Sequence, residues 1–429
     1  MAKLTQTLVV RCCVLALVLT SSWTLPSANA AESSGTLDTS FGTNGVVTTD
    51  FAGNVDGALA VALQPDGKIV AAGFAFVSGI DSDFALARYN SDGTLDTSFG
   101  INGLVTTDFA AGNGEAHAVA VQPDGKIVAA GNVLISGSPD FALARYNSDG
   151  TLDTSFGTNG RVTTDFAGNG DSAFAVAVQP DGKIVAAGAA AMFITGEDFA
   201  LARYNSDGTL DTSFGTNGRV TTDFAGGNDS GFGVALQPDG KIVVAGTAST
   251  SRGLVFALAR FNQDGTLDPR FGRRGLVTTA FKGGSAQASA VALVEQAKIV
   301  AVGTFSGPGD DFALARYNPD GTLDRRFGTR GLVTTDFAGG NDQASAVVPQ
   351  QNGKIVVVGS AFTSGGIRDF ALARYNPDGT LDPSFGSNGL VTTDFAGNTD
   401  FAFAVAIQPD EKIVAAGRAG PDFGLVRYK

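Results

Sequence analysis

The chain has few of the residue types that bind soft metals or carry out covalent chemistry. Its cysteines, Cys12 and Cys13, lie near the N-terminus with its only tryptophan, Trp23, and His117 is its single histidine. Beyond residue 30, therefore, no disulfide can form, and neither a thiolate nor a histidine cluster can hold zinc. No Gly-x-Ser-x-Gly segment accompanies His117, so a serine triad is not expected. We predict no catalytic residues, no metal site and no cofactor.

The chain also lacks an apolar run long enough for a membrane anchor. A short apolar run at residues 14–19 follows Lys3 and Arg11, and a small-x-small motif occupies residues 28–30. This arrangement predicts a secretory signal peptide over residues 1–30, cleaved near Ala30. We expect a secreted protein, located outside the cell, at its surface or in the periplasm, with no membrane anchor.

Positive charge is scarce as well. The formal net charge is −13, and loss of Lys3 and Arg11 with the leader would bring it to −15. An acidic surface repels nucleic acid and favours solubility. We therefore expect no nucleic-acid partner, and we expect a monomer.

What the chain does have is a repeat. The tetrapeptide Gly-Thr-Leu-Asp begins at seven positions, 56 to 58 residues apart: Gly35, Gly93, Gly150, Gly208, Gly265, Gly321 and Gly379. In the second copy, four segments rich in β-formers lie at residues 104–107, 118–121, 126–130 and 141–146. They are separated by turn sequences such as Gln-Pro-Asp-Gly, and no sustained helical period is present. The pattern predicts an all-β chain.

Repeated units of four antiparallel strands are typical of β-propeller blades. The first segment of the set lies at the N-terminal end of the repeat region, and the other three of a final set lie at the C-terminal end. We predict a single seven-bladed propeller domain over residues 31–429, with the ring closed by an N-terminal strand. A β-solenoid is the alternative, although its turns are usually shorter.

The repeated block Ala-Val-Ala-Val-Gln-Pro-Asp-Gly-Lys-Ile-Val-Ala-Ala-Gly is followed by Asp-Phe-Ala-Leu-Ala-Arg-Tyr-Asn-Ser-Asp-Gly-Thr-Leu-Asp-Thr-Ser-Phe-Gly. Together they resemble the bacterial delta-60 repeat, a β-propeller family, and more loosely the blades of NHL-type propellers. The resemblance covers residues 35–429 and implies a propeller architecture rather than a particular activity. The Gln-Pro-Asp-Gly turn is replaced at residues 294–297, altered at 350–353, and has Glu411 in the glycine position.

Spaced oxygen ligands in the Asn90–Asp96 turn and its copies raise the question of calcium. This turn lacks the full ligand set of an EF-hand loop. The competing interpretation is structural: Asn90 and Asp92 form side-chain to backbone turns, and Asp96 forms a bidentate pair with Arg88. We favour the structural interpretation for all seven copies.

Two kinds of singular residue remain as candidates for chemistry. His117 takes the place of Leu59, Phe174, Phe232, Ser289, Ser345 and Phe403 in the other copies, so we interpret it as one member of a ring near the channel mouth. Glu115 and Glu197 are unique in their blades and are assigned to variable loops. They are the acids that a glycosidase or lyase would need, because such enzymes use paired carboxylates.

Alternating connections place the Pro-Asp-Gly turns and the Gly-Thr-Leu-Asp loops on one face of the propeller. The opposite face receives the Asp-Phe-Ala-Gly loops and segments of unequal length, at residues 74–82, 132–139, 189–197, 247–254, 304–310, 360–368 and 418–421. Function concentrates in variable loops on rigid scaffolds. The leading prediction is a secreted, non-catalytic scaffold that binds an extracellular protein or glycan at this variable-loop face. The alternative is an extracellular carbohydrate-active enzyme using carboxylates there.

Overall fold

The computed structural model describes residues 34–429 except 52, 78–80, 110–111, 167–169, 225 and 364–365. The described residues form 28 β-strands and one short 3-10 helix, Glu295–Ala297, which replaces the Pro-Asp-Gly turn in one copy. The all-β prediction is therefore confirmed. The predicted signal peptide lies outside the described residues. Within the described ranges, no helix has the length and apolarity of a membrane span.

The strands form seven four-stranded antiparallel sheets, the blades of a propeller. The innermost strands are β2 (Asp56–Leu63), β6 (Gly114–Val121), β10 (Asp171–Val178), β14 (Asp229–Leu236), β18 (Ser285–Val294), β22 (Gln343–Pro349) and β26 (Asp400–Ile407). The second strands are β3 (Ile69–Phe76), β7 (Ile127–Ile135), β11 (Ile184–Met192), β15 (Ile242–Thr250), β19 (Lys298–Ser306), β23 (Ile355–Phe362) and β27 (Ile413–Ala419).

The third strands are β4 (Ser82–Tyr89), β8 (Ser138–Tyr146), β12 (Gly196–Tyr204), β16 (Gly253–Phe261), β20 (Asp310–Tyr317), β24 (Arg368–Tyr375) and β28 (Asp422–Tyr428). The outer strands are β5 (Leu104–Thr107), β9 (Arg161–Thr164), β13 (Arg219–Thr222), β17 (Leu276–Thr279), β21 (Leu332–Thr335), β25 (Leu390–Thr393) and β1 (Val46–Thr49). Blade 1 contains β2 to β5, and blades 2 to 6 follow in the same way.

Blade 7 is completed by the N-terminal strand. Strand β1 pairs antiparallel with β28, with Val46 opposite Val426, while β26 and β27 supply the inner half of the sheet. The predicted seven-bladed ring and its closure are confirmed. Closure matters physically because an outer strand drawn from the other end of the chain ties the first and last blades together.

The middle strands are buried on both faces because neighbouring blades pack against them. In blade 2, residues 127–131 and 141–146 are all buried. In residues 141–146 alanine alternates with larger side chains, which lets adjacent sheets approach closely while apolar surface is removed from water. The core is therefore divided among the spaces between blades, and each blade depends on its neighbours.

A buried ion pair recurs in every blade on the Pro-Asp-Gly face. In blade 1, Arg88 Nε lies 2.7 Å from Asp96 Oδ2, and Lys68 Nζ lies 2.9 Å from the same oxygen. The Arg88 guanidinium also donates to the backbone carbonyl of Ser148 in blade 2 and lies over the Phe99 ring. The equivalent pairs are Arg145–Asp153, Arg203–Asp211, Arg260–Asp268, Arg316–Asp324, Arg374–Asp382 and Arg427–Asp38. Each arginine of this set thus holds its own loop, and most also reach the next blade.

The pairing itself was predicted correctly, but its bidentate form was wrong. Nε and Nη2 of Arg203 both lie 2.8 Å from one oxygen, Oδ2 of Asp211, because Oδ1 accepts hydrogen bonds from Ser213. In blade 1, burial opposes ionisation of Asp96, but hydrogen bonds from Ser98 and Lys68 and the charge of Arg88 outweigh it. The pKa of this carboxyl consequently lies below its ordinary value.

Candidate functional site

Each innermost strand contains a bulge at the same place. In β2 the pairing with β3 is interrupted between Ala58 and Ala60, so Leu59 has no direct partner. Opposite the bulge stands Gly73, where a Cβ would come within 1.9 Å of the Gly57 carbonyl oxygen. Only glycine permits this approach, and a glycine recurs there in every blade. The bulge turns the extra side chain toward the central channel.

The seven bulge residues form a ring around a cavity of about 340 Å³. They are Leu59, His117, Phe174, Phe232, Ser289, Ser345 and Phe403, and all are partly exposed. The sequence interpretation of His117 as a ring member is confirmed. The ring is also where the internal symmetry of the chain is broken, since the neighbouring core positions repeat from blade to blade.

The ring has two chemically different arcs. Phe403, Leu59, His117, Phe174 and Phe232 come from five consecutive blades, and the two serines come from the remaining two. The His117 and Phe174 ring centroids are 5.2 Å apart, and those of Phe174 and Phe232 are 5.0 Å apart. The cavity therefore has an aromatic wall facing a wall of hydroxyl groups, with the Gln287 amide beside them.

His117 is held in place by a hydrogen bond to the adjacent strand. Its Nε2 lies 2.7 Å from Asn132 Oδ1 on the adjacent strand, and Glu115 Oε2 lies 4.0 Å away. Burial lowers the pKa of His117, against the raising effects of Asn132 and Glu115. The imidazole is consequently neutral at physiological pH and donates to the amide oxygen.

The exposed channel residues lie toward the variable-loop face. Gln287 and Gln343, one pleat nearer that face than the ring serines, are exposed. Toward the opposite face, Ala60 and Ala62 are almost fully buried. A ligand entering the cavity from the variable-loop face would therefore meet polar side chains first.

The segments predicted as variable loops are mostly strand. Strands β11 and β12 run to Met192 and from Gly196, so only residues 193–195 form the turn of that hairpin. Cross-strand pairing continues as far as Met192 opposite Gly196, which lengthens the hairpin beyond the core of the sheet. At this turn Phe193 and Ile194 are 94% and 96% exposed, which makes the hairpin tip the most apolar exposed point of the described chain.

The assignment of Glu115 and Glu197 to loops was wrong. Glu115 lies in the inner strand β6, and Glu197 lies in the third strand β12. They belong to different strands of neighbouring blades, and the structure does not bring them together at the cavity: neither of them lines it. The paired carboxylates of a glycosidase are thus not formed by these two residues.

The turn aspartates act as predicted for a structural role. Asp92 Oδ1 accepts hydrogen bonds from the Thr94 amide at 2.9 Å and the Thr94 hydroxyl at 2.7 Å, while Asn90 donates to the Thr94 hydroxyl. Asp96 is engaged by Arg88 and Ser98. These hydrogen bonds hold the turn in its conformation.

A feature that the sequence reasoning missed is a set of acidic clusters at the variable-loop face, where adjacent blades meet. In each cluster three carboxylates lie with one oxygen apiece within 4.8 Å of the others. The clusters are Asp50, Asp56 and Asp422; Asp140, Asp165 and Asp171; Asp198, Asp223 and Asp229; Asp311, Asp336 and Asp342; and Asp369, Asp394 and Asp400. The signal was present as three aspartates at fixed places of the repeat, complete at five of the seven interfaces between blades.

Burial and mutual repulsion make the inner-strand carboxylate of each cluster hard to ionise. Burial raises the pKa of Asp56 to about 7, with a further contribution from Asp422 and Asp50, against amide donors at Phe51 and Phe423. Burial likewise raises the pKa of Asp171, Asp229 and Asp400 to about 6. Each cluster therefore favours a proton or a bound cation.

Comparison with protein families agrees with the fold. Six segments match the family described as "Domain of unknown function (DUF5122) beta-propeller", at residues 64–99, 122–156, 179–214, 237–271, 298–327 and 350–385. These matches support membership of a β-propeller family. They cover the second and third strands and the loops of the Pro-Asp-Gly face, and they stop short of the innermost strands that carry the ring.

Comparison with curated proteins gave no match. Among solved structures, Sqt1 from Chaetomium thermophilum is 16% identical, with a TM-score of 0.48 over 88% of this chain and 98% of that chain. Polysaccharide lyase Uly1 is 12% identical, with a TM-score of 0.47 over 99% and 97%. Puromycin hydrolase is 16% identical, with a TM-score of 0.48 over 86% and 51%. Likenesses at this level carry no argument about function.

Proposed function

We propose that this propeller is an exported, non-catalytic binding protein that takes a glycan into the central cavity from the variable-loop face. The observation that carries the proposal is the ring of seven bulge residues, where an aromatic arc faces two serines across a cavity of about 340 Å³. A symmetric structural ring would repeat one residue type, whereas this one is differentiated blade by blade.

The chemistry of the two arcs favours a sugar. A sugar ring has one face lined by C–H groups, which packs on aromatic rings, and carries hydroxyl groups that need hydrogen-bond partners. Phe174 and Phe232, whose ring centroids are 5.0 Å apart, offer the apolar wall. Ser289, Ser345 and Gln287 offer donors and acceptors on the other side. Pockets that combine an apolar lining with a few placed polar groups are typical binding sites.

Export is supported by the pattern of residues 1–30, and an acidic, cysteine-free repeat region suits an extracellular scaffold. Cleavage near Ala30 is checked by the N-terminal sequence of protein recovered from outside the cytoplasm. Recovery of uncleaved chain from the cytoplasm would contradict export.

The test is a thermal-unfolding screen of the purified protein against a panel of extracellular polysaccharides, oligosaccharides and peptides. A ligand that binds only the folded state raises the unfolding midpoint. We expect a shift with at least one saccharide. A rise of the unfolding midpoint with peptides alone would indicate a protein ligand instead of a glycan. No rise with any member of the panel would contradict ligand binding as the function.

A cavity-filling variant assigns the binding to the ring. Ser345→Phe places a large side chain in the polar arc and should abolish the saccharide shift. The matched control is Ser91→Phe, at an exposed turn on the opposite face, which should leave the shift unchanged. An equal saccharide-induced rise of the unfolding midpoint in both variants would show that the ligand binds outside the ring.

A further inference from the structure

We propose that the five acidic clusters are calcium sites that link neighbouring blades on the variable-loop face. The feature is separate from the central cavity. Taking the cluster between blades 3 and 4 as the example, Asp198 belongs to β12, Asp223 follows β13, and Asp229 begins β14 of the next blade. A cation bound by all three would hold the two blades together.

The spacing of the carboxylate oxygens stays within the limit set by one shared hard divalent cation. Carboxylate oxygens of the three residues lie within 4.8 Å of one another. Two oxygens bound to the same calcium ion at about 2.4 Å can be at most about 4.8 Å apart. Calcium accepts six to eight oxygen ligands in a flexible arrangement, so water would complete the shell at the exposed loop aspartate.

Buried oxygens without partners point independently to a missing ligand. Oδ2 of Asp198 accepts from the Thr195 hydroxyl at 2.8 Å, but Oδ1 is buried and has no hydrogen-bond partner, although the residue is only 4% exposed. Asp369 occupies the same position in blade 6, is 6% exposed, and buries an unpartnered Oδ1 in the same way. An unpaired buried carboxylate oxygen costs free energy that a cation would recover.

One interface between neighbouring blades lacks the acidic cluster and serves as an internal comparison. Between blades 4 and 5 the three positions are occupied by Val255, Ala280 and Ala286, so all three acids are absent together. Ala286 is buried there, as every inner-strand aspartate of the five clusters is, and Val255 is buried as well. Joint replacement is expected for residues that act as one ligand set, because a single leftover carboxylate would be buried without a counter-charge.

A third arrangement lies between blades 1 and 2. Asp83 and Asp108 remain, but Gly114 stands where the inner-strand aspartate would be. Burial, with the charge of Asp108, raises the pKa of Asp83. Two carboxylates supply less charge and fewer oxygens, so we expect this interface to bind calcium more weakly than the five complete clusters.

The experiment is equilibrium dialysis of chelator-treated full-length protein against calcium, with metal content measured by elemental analysis. Extracellular calcium modules bind in the range of about 0.1 to 1 mM, so free calcium is raised to about 5 mM. We expect about five ions per chain, one for each complete cluster, and a calcium-dependent rise in the unfolding midpoint.

Two matched variants locate the ions. The first changes the exposed loop aspartates to asparagine, which keeps an oxygen acceptor for the turn amides but removes the charge: Asp50, Asp165, Asp223, Asp336 and Asp394. The second makes the same change at five exposed turn aspartates on the opposite face: Asp92, Asp149, Asp207, Asp320 and Asp378. We expect calcium affinity to fall at least tenfold in the first variant and to stay unchanged in the second.

Several results would overturn the proposal. Less than one bound calcium per chain in the wild type would do so. An equal loss of calcium affinity in both fivefold variants, or tighter binding of magnesium than of calcium by the wild type, would also overturn it. Circular dichroism confirms that each variant is folded. If the fivefold variant unfolds, Asp223→Asn alone is measured, and an unchanged ion count in that variant contradicts the assignment.

Discussion

Arg427 Nε lies 2.8 Å from Asp38 Oδ2, joining two residues 389 positions apart in the chain. Lys412 adds a second cation 3.1 Å from the same oxygen. The contact repeats the ion pair found within every other blade, but here it also closes the ring. The closure thus uses the same local chemistry as the rest of the propeller, with one partner supplied by the N-terminal segment.

Replacing Asp38 by asparagine should weaken the closure in particular. Removing one partner of a buried ion pair costs about 3 kcal/mol, because the remaining cations keep their charge in a buried place. The control is Asp211→Asn, which breaks the equivalent pair inside blade 3. We expect a similar loss of unfolding free energy in both, but faster hydrogen exchange in β1 and β28 only for Asp38→Asn. Equal hydrogen-exchange rates in β1 and β28 of the two variants would contradict a role of Asp38 in closure.

Blade 4 lacks a hydrogen bond that the other blades have. Tyr204 Oη lies 2.9 Å from Thr164 Oγ1 of the preceding blade, and Tyr89 Oη lies 2.9 Å from Thr49 Oγ1, whereas blade 4 has Phe261 in the place of the tyrosine. Phe261→Tyr should therefore stabilise the protein by about 1 kcal/mol, and Tyr204→Phe should destabilise it by about 1 kcal/mol. Chemical denaturation measures both. A loss of stability in Phe261→Tyr would show that blade 4 has no room for the hydroxyl.

The acidic clusters predict a pH dependence that runs against ordinary acid denaturation. The pKa of Asp56 is raised to about 7 and that of Asp171 to about 6, so the folded state holds protons that the unfolded state releases. Stability from these groups is present at low pH and is lost as pH rises through the folded pKa. With a chelator present, the unfolding midpoint temperature should decrease as the pH is raised from about 5 to about 8.

Two other sets of groups do not reverse that trend. The ion-paired aspartates such as Asp96 have lowered pKa values and titrate below this window. His117, whose pKa is lowered by burial, acts in the opposite direction but is a single residue. The variant with five loop aspartates changed to asparagine should show a flatter profile. A midpoint that rises steadily from pH 5 to pH 8 in the wild type would contradict the assignment.

The repeats allowed the blades to be predicted because each strand and turn carries the same local signal seven times. Strand order within the blade was harder, since Leu104–Thr107 and Ala118–Val121 are both short apolar runs that suit an inner or an outer place. The bulge opposite Gly131 identifies the innermost strand, and this bulge is seen only in the structure. Aligned copies already indicated that Leu59 and its counterparts form a ring, and the bulge places their side chains at the central cavity.

The acidic clusters could not be read along the chain for a different reason. Asp198 and Asp223 are 25 residues apart and come from different strands, and Asp229 belongs to the next blade. Their proximity depends on how adjacent blades pack. The sequence interpretation considered calcium only where ligands are close in sequence, in the Asn90–Asp96 turn, and there the oxygens serve the turn.

The central claim is that the differentiated ring binds a ligand, and calorimetric titration of a saccharide found in the screen tests it most directly. Three proteins are compared: the wild type, the double variant Phe174→Ala/Phe232→Ala, and the control Phe193→Ser/Ile194→Ser at the exposed hairpin tip. Loss of aromatic contacts worth about 1.4 kcal/mol or more should weaken binding at least tenfold in the ring variant and leave the control unchanged. Unchanged affinity in the ring variant, with loss in the control, would contradict the claim and move the site to the hairpin tip.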